Sequence, residues 1–541
     1  MMTLNAGAGT AGTGKTGTAG ANAHETVLIL DYGSQYTQLI TRRVRELGIY
    51  SKILPGTATL EQIKKHSPKA LILSGGPSSV YDEGAPKLPA GFLEFQAENR
   101  VPVLGICYGM QLLALALGGE VQRAKVREYG RMEVKPLGSS LFPEAKPFAA
   151  WMSHGDETVK VPQGFREAAW SASGSLAAME NLDLKIFGLQ FHPEVTHTEG
   201  GKILLDHFLR GLAKVSADWN MGSVLEEQIR LIQEKVGPKA HVICGLSGGV
   251  DSTVAATLVH RAVGDRLHCF FIDHGLLRHE ERSRIMELFE KQLHLPVTCL
   301  DRSEEFLSKL KGVEDPEKKR KIIGSEFIVG FEEAAKRVSQ TLDHLPEFLV
   351  QGTLYPDVIE SSPGHKHSVT IKSHHNVGGL PQNLRFQLIE PLRELFKDEV
   401  RELGKHLGVP RDFLKRHPFP GPGLAVRVIG EVTPERLEIL RHVDEIFIQS
   451  IQEAGLYEQI WQAFAVFLPI KSVGVQGDGR THDHVVALRA VTSSDGMTAD
   501  WYPFESAFLA QVSAKICNQV RGVNRVVYDI SSKPPATIEW E

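Results

Sequence analysis

Twice in this chain, a short apolar run suited to a buried strand ends at a glycine-flanked turn and restarts as a helix. The first run, Val103–Ile106, passes through Gly105-Ile106-Cys107-Tyr108-Gly109 into the helix-like Met110–Leu117. The second, His241–Leu246, passes through Ser247-Gly248-Gly249-Val250-Asp251-Ser252 into a helix carrying Val254, Ala255, Leu258 and Val259. Strands that alternate with helices in this way form sheets covered on both faces. Ligands of such sheets collect at the strand carboxyl ends, which is where both turns fall.

The same texture extends on either side. Val27–Leu30, Ala70–Leu73 and Ile186–Phe191 suit buried strands, with helices around Tyr36–Leu47 and Lys202–Leu212. An amphipathic helix, Val224–Val236, opens a second run with strands at Leu267–Ile272, Pro296–Leu300 and Glu347–Gln351. Beyond about His417 the alternation stops. Pro418–Gly423 is a rigid Pro/Gly loop, followed by a helix at Pro434–Ala454 and strand-like Ala465–Ile470, Val485–Val491 and Arg525–Ile530. At 541 residues the chain is too long for one core. The expected architecture is two doubly wound α/β domains, 25–215 and 216–416, followed by a smaller α+β C-terminal domain, 417–541.

Residues 1–24 are rich in Gly, Ala and Thr and are expected to be disordered. Gly9–Thr16 (GTAGTGKT) matches a phosphate-loop spacing. It lacks a preceding strand and a following helix, so no nucleotide site is expected there. A formal net charge of −5 without a long basic run argues against a nucleic-acid partner. No apolar run has the length of a membrane span, and the N-terminus lacks the pattern of a secretory signal. Five scattered cysteines make no disulfide framework and fit a reducing cytoplasm.

Cys107 stands where a strand meets the positive end of a helix, a position that favours thiolate. A free cysteine is more often a small buried apolar residue. The strand, the elbow and the flanking glycines favour the nucleophile. Gln190-Phe191-His192-Pro193-Glu194 supplies partners. His192 and Glu194 are two apart at the end of a strand, so both face the same way. The carboxylate can orient the imidazole, and the imidazole can serve the thiol. Ser74-Gly75-Gly76-Pro77 also follows a strand, and its N–H groups, with that of Tyr108, suit an oxyanion. By itself, Gly75-Gly76 reads as a plain turn.

Ser247–Ser252 presents backbone N–H groups at a helix start, an anion site. Lysine is missing where γ-phosphate transfer would need it, and Asp251 suits Mg2+ held jointly with phosphates. Farther on, Asp357 and Glu360 could hold a metal or position a lid. Lys372 could neutralise charge on a phosphate. His374 and His375 have no nearby cysteine and no zinc spacing. The C-terminal Lys533–Glu541 is apolar and Pro-rigid, which suits a tail tied down at a site.

The Gly105–Gln111 and His192-Pro193-Glu194 motifs resemble the class I glutamine amidotransferases over about residues 25–213. The resemblance implies that Cys107 attacks the glutamine amide, with His192 as base and Glu194 as orienting acid. Gly76 and Tyr108 would form the oxyanion hole, and Gln111, Ser153, His154 and Gly155 would help hold glutamine. Ser247, Gly248, Gly249, Val250, Asp251 and Ser252 resemble the PP-loop of the N-type ATP pyrophosphatases, which cleave ATP between the α and β phosphates. That likeness implies ATP at this loop and adenosine beside Asp273.

With the later segments, the chain resembles the single-chain, glutamine-hydrolysing GMP synthetases over about residues 25–541. The resemblance implies amination of XMP to GMP with ATP and glutamine, Mg2+ accompanying ATP, and a homodimer formed through the last domain. It assigns Asp357, Glu360, Lys372, His374 and His375 to a lid that assists adenylation. It assigns Arg320, Gln462, Lys533, Ile538 and Glu539 to XMP, and two of these, Arg320 and Lys533, suit its phosphate. An NAD-synthetase-like amidotransferase, a tRNA-modifying PP-loop protein and a catalytically dead binding scaffold are the alternatives. The second needs a basic RNA face or paired CxxC motifs, and neither is present.

Overall fold

Apolar strands of four or five residues, buried on both faces, need cover on both sides, and the first unit of the chain supplies it. The computed structural model describes residues 24–342, 346–360, 386–476, 478–493 and 498–541. It divides into two compact units, one through Asn220 and one from Met221. All but the last residue of the expected 1–24 tail lies outside the described residues.

The first unit is built on a nine-stranded sheet. Five parallel strands run in the order Ser51–Pro55, Val27–Asp31, Ala70–Leu73, Val103–Ile106, Ile186–Leu189. Alternate residues serve opposite faces, as the period of a strand requires. Val27, Ile29 and Ile72 pack with Phe187 and Phe208 on one side. Leu28, Leu30 and Leu71 pack with Met110 and Ile186 on the other.

Four antiparallel strands extend the sheet: Leu176–Asn181, Arg166–Ser171, Glu120–Pro136 and Phe148–Lys160. These strands give little signal in the sequence. Glu120–Pro136 is largely polar, so apolar alternation does not mark it.

The second unit contains a five-stranded parallel sheet in the order Val297–Asp301, Leu267–Asp273, Val242–Leu246, Phe348–Val350, Gln387–Ile389. Strand order reverses at Val242–Leu246, so the crevice at its carboxyl end is a topological switch point. Ser247–Ser252 occupies that point.

A further sheet pairs Gln462–Gln476 with Gly479–Thr492 antiparallel, and Val523–Tyr528 alongside in parallel. The register of the long ribbon shifts between Leu468 and Lys471. Pro469 lies there, where it cannot donate to the ladder. The helix Pro434–Glu453 is capped by Thr433, whose hydroxyl accepts the Arg436 N–H at 3.3 Å. Leu276, Phe306 and Ile323 share one core cluster with Leu437, Phe447 and Ile516. Among the described residues, no helix is long and apolar enough to cross a membrane.

Candidate functional site

Cys107 links the strand Val103–Ile106 to the helix Tyr108–Ala116 with φ +52° and ψ −108°. This is a strained backbone for a residue with a side chain, and it lifts the thiol out of the turn. The elbow depends on its glycines. A Cβ on Gly105 would lie 2.6 Å from the Gly109 carbonyl carbon, and one on Gly109 would overlap the Leu73 backbone.

Two other strand ends, those of Ile186–Leu189 and Ala70–Leu73, meet at the thiol. His192 Nδ1 lies 2.7 Å from Glu194 Oε1, with Glu194 fully buried. Burial works against a charged His192, yet the Glu194 charge and hydrogen bonds to Cys107 and Glu194 outweigh it, holding the imidazole well above its ordinary value. The Tyr36 ring meets the His192 ring edge-on at 5.1 Å. A Cβ on Gly75 would lie 3.1 Å from His192 Cε1 and 3.5 Å from Cys107 Cβ, so this turn closes directly over the pair. Gly76 packs against the Tyr32 carbonyl and the Tyr108 ring. Tyr108 starts the helix, whose first-turn N–H groups have no acceptors within it.

Two contacts here carry no signal in the sequence spacing. Gln190 Nε2 lies 3.7 Å from Cys107 Sγ and its Oε1 accepts from Gln111 Nε2 at 3.2 Å. Gln111 Nε2 also donates to the Asp156 carbonyl at 2.9 Å. The Ser153 carbonyl lies 3.6 Å from the Cys107 thiol. His154 points away into a buried network. Its Nε2 meets Glu128 at 2.7 Å and its Nδ1 meets the Asp156 carbonyl at 3.0 Å, so both ring nitrogens are engaged. Burial would raise the Glu128 carboxyl, but its bonds to His154 and Ser171 prevail and lower it. Gly155 lies near the Tyr129 hydroxyl.

In the second unit, Gly248 takes φ +74° and Gly249 precedes the helix Val250–Val263. The loop is braced from within. Ser247 Oγ and Ser252 Oγ are 3.0 Å apart, Gly249 N–H donates to Ser247 Oγ at 3.2 Å, and Ser252 Oγ donates to the Gly249 carbonyl at 3.2 Å. A preshaped glycine turn at a helix start suits phosphate oxygens. Lys397 Nζ meets Asp251 Oδ2 at 2.5 Å, while Asp251 Oδ1 is buried with no hydrogen-bond partner among the described residues. Asp273 ends its strand, accepting from Gly275 N–H at 2.9 Å and pairing with Arg282 at 3.1 Å. Next to it, burial pushes His274 down to about 4, so this imidazole is neutral.

Comparisons with known proteins bear on this pairing of a thiol elbow with a phosphate loop. Residues 28–212 match the family "Glutamine amidotransferase class-I", 223–309 match "NAD synthase", and 449–540 match "GMP synthase C terminal domain". A GMP synthase [glutamine-hydrolyzing] of Aquifex aeolicus is 57% identical over 517 residues, covering 95% of this chain and 99% of its own. The enzyme of that name from Chlorobium luteolum is 55% identical over 528 residues, covering 96% of this chain and 100% of its own. The chain belongs to the glutamine-hydrolysing GMP synthase family. A solved glutamine amidotransferase from Thermotoga maritima is 22% identical, covers 36% of this chain and 100% of its own, and has a TM-score of 0.29.

The remaining positions expected from the GMP synthase resemblance fall in different places. Asp357 sits in the first turn of Tyr355–Glu360 and accepts the Leu354 N–H at 3.0 Å, as a capping carboxylate does. Glu360 ends that helix. Lys372, His374 and His375 lie outside the described residues.

The C-terminal segment is pinned down by Gln462 and Arg320, which the GMP synthetase resemblance names, and by Arg427, Arg489 and Lys319, which it does not. Arg427, fully buried, pairs with Glu539. Gln462 Nε2 donates to Glu539 Oε1 at 2.7 Å. Arg489, also buried, donates to the carbonyls of Ile538 at 2.8 Å and Thr537 at 2.9 Å. Lys319 and Arg320, on the helix Pro316–Leu342, both reach Glu541, Arg320 Nη2 donating to its backbone oxygen at 2.5 Å. Ile538 is buried beside Phe464 and Val466. Lys533 pairs through its backbone with Ala499. Gln462, Ile538 and Glu539 therefore converge, with Lys533 on the adjoining stretch.

Proposed function

We propose that this chain is the enzyme that makes GMP from XMP in purine nucleotide biosynthesis, with glutamine as nitrogen donor and ATP as activator: XMP + ATP + glutamine + water → GMP + AMP + pyrophosphate + glutamate. The observation that carries this reading is the Cys107–His192–Glu194 arrangement on one chain with a lysine-free phosphate loop at a topological switch point.

At the first site, the Cys107 thiolate attacks the glutamine side-chain carbon. The N–H groups of Gly76 and Tyr108 receive the oxyanion, and imidazolium His192 gives its proton to the departing ammonia. Water then cleaves the thioester and releases glutamate. The bonds of Gln111 to Gln190 and to the Asp156 carbonyl, and the Ser153 carbonyl beside the thiol, support Gln111 and the backbone of Ser153–Gly155 as the wall against which glutamine rests.

At the second site, Ser247–Ser252 holds the ATP phosphates and Asp273 lies beside the adenosine. The xanthine O2 attacks the α-phosphorus and pyrophosphate leaves. Ammonia then displaces AMP. Mg2+ fits Asp251, whose Oδ1 is buried with no hydrogen-bond partner among the described residues, and when bound there it would offset phosphate charge. Asp357, Glu360, Lys372, His374 and His375 form the adenylation lid in this reading. Arg320, Gln462, Lys533, Ile538 and Glu539 serve XMP.

Regions 25–215, 216–416 and 417–541 act as amidotransferase, adenylating and dimerising parts in a cytoplasmic homodimer. The exposed Ile470, Val473 and Val475 on the C-terminal ribbon support an interface there. The test supplies ATP, Mg2+, glutamine and XMP and follows AMP and GMP. GMP formation with one AMP per turnover is expected. AMP release that ignores XMP would overturn the reading.

A further inference from the structure

We propose that His279, His442 and Glu445 form a site for one divalent transition metal of the Zn2+ class, separate from the phosphate loop. Their ligand atoms all lie within 4.8 Å of one another, and this is a candidate metal cluster among the described residues. His279 Nε2 is 3.6 Å from Glu445 Oε2, and the two imidazole rings stand 5.1 Å apart. His442 and Glu445 are three apart on the helix Pro434–Glu453, so they share a face. His279 comes from the segment after the strand Leu267–Asp273.

Neighbouring contacts hold these side chains in register. Arg278 pairs with Asp444 at 3.2 Å and reaches the Ala463 carbonyl at 3.3 Å. Arg441 donates to the carbonyls of Leu277, at 3.0 Å, and Gly275. Each ligand thus follows directly on a residue that ties the segment to the helix or to the adjoining strand. The backbone that carries the three ligands is held in place without a metal.

The donor set selects the ion. Two imidazoles and a carboxylate suit Zn2+, Co2+ or Ni2+, whereas Mg2+ and Ca2+ prefer oxygen alone. Bonds of about 2.1 Å place tetrahedral ligand atoms about 3.4 Å apart, so a modest inward rotation is needed. The side chains are 32% (His279), 43% (His442) and 23% (Glu445) exposed and have room to make it. Glu438 Oε1, 2.9 Å from His442 Nε2, provides either a fourth ligand or the carboxylate that orients that ring. Arg284, 3.7 Å from Glu445 Oε1, is the cation that the metal displaces; it is largely exposed. A bound ion would clamp the segment that follows Asp273 onto the helix.

The test titrates the EDTA-stripped full chain with Zn2+ by calorimetry and records the Co2+ spectrum of the loaded protein. One site per chain is expected, weakened at least about tenfold in His279→Ala and in His442→Ala. The Co2+ form should show d–d bands without thiolate charge transfer. Zn2+ should raise the melting temperature of the unaltered chain but not of His442→Ala, and in EDTA the two should melt alike. If His442→Ala melts lower in EDTA, His279→Gln in the same titration decides in its place. Equal affinity in the unaltered chain and the variants, or thiolate bands in the Co2+ spectrum, would overturn the proposal.

Discussion

Arg427 holds Glu539 in a two-pronged ion pair, Nε to Oε2 at 3.1 Å and Nη2 to Oε1 at 2.8 Å. The guanidinium is fully buried, with its carbon 4.1 Å from the centre of the Phe464 ring and 5.2 Å from that of Phe419. A buried cation of this kind depends on its carboxylate, because the aromatic faces offset only part of the lost hydration.

Glu539→Ala should therefore destabilise the chain by about 3 kcal/mol, the scale for breaking a buried pair from one side. Urea unfolding followed by fluorescence measures it. Replacing both partners with apolar residues, as in Arg427→Met with Glu539→Leu, should recover most of the loss. Equal destabilisation in the single and double variants would mean that the pair is not what holds this segment.

The thiol elbow makes a sharper demand. A side chain on Gly105 would meet the Gly109 carbonyl carbon at 2.6 Å. Gly105→Ala should cost about 1–3 kcal/mol as an overpacked core position. It should also reduce glutamine hydrolysis by far more than that loss of folded protein explains, because the displaced helix carries Tyr108 and shifts Cys107. Ammonium-driven GMP formation measures whether the second unit is untouched.

What could be read from sequence was whatever a few adjacent residues settle among themselves. The strand before His192 stops at Leu189, and a turn at Pro193-Glu194, not strand alternation, brings His192 and Glu194 together. That contact, the Cys107 turn and the Ser247–Ser252 loop all carry their geometry locally. The Glu128–His154 contact does not. These residues face each other across the antiparallel register of Glu120–Pro136 and Phe148–Lys160, which depends on a bulge in the ribbon. Gln190 reaches Cys107 only because Ile186–Leu189 lies next to Val103–Ile106 in the sheet. Arg427 and Arg489 are the hardest cases. A lone arginine in a sequence reads as a surface charge, and its burial follows from a tail more than 40 residues farther on that folds back over it.

Removing the thiol separates the two chemistries. Cys107→Ala should lower glutamine-dependent GMP formation by about 10³-fold or more. Synthesis from free ammonium should stay near that of the unaltered chain, since XMP activation uses the other unit. Initial rates with each nitrogen source, on the same preparation, give the comparison. Loss of both activities would mean that Cys107 serves the fold rather than glutamine.

His192 makes stability depend on pH through Glu194. Burial opposes the charged imidazole, but Glu194 and Cys107 together hold it well above its ordinary value. The folded chain thus keeps a proton that the unfolded chain releases. That contribution is complete below the unfolded value, about 6.5, and is lost as pH rises through the folded value. In Glu194→Gln burial is opposed far less, and His192 falls. The stability difference between the two proteins should be largest below about pH 6.5 and shrink on the alkaline side. Urea midpoints across that range report it, and a constant difference would mean that His192 is neutral in the fold.

Asp251 offers the cleanest separation of binding from structure in the second unit. One of its oxygens is held by Lys397 at 2.5 Å, and the other is buried with no hydrogen-bond partner among the described residues. Asp251→Asn keeps the shape and the helix start but removes the charge that both Lys397 and a Mg2+ ion would use. XMP-dependent AMP formation should fall by about 10²-fold or more, on the scale of a lost charge-stabilising group. The shortfall should be partly relieved at raised Mg2+. Lys397→Met frees the carboxylate without removing it, so it should lower the Mg2+ concentration needed for half-maximal rate. If Lys397→Met instead raises that requirement, Lys397 acts on the phosphates themselves and Asp251 is its anchor.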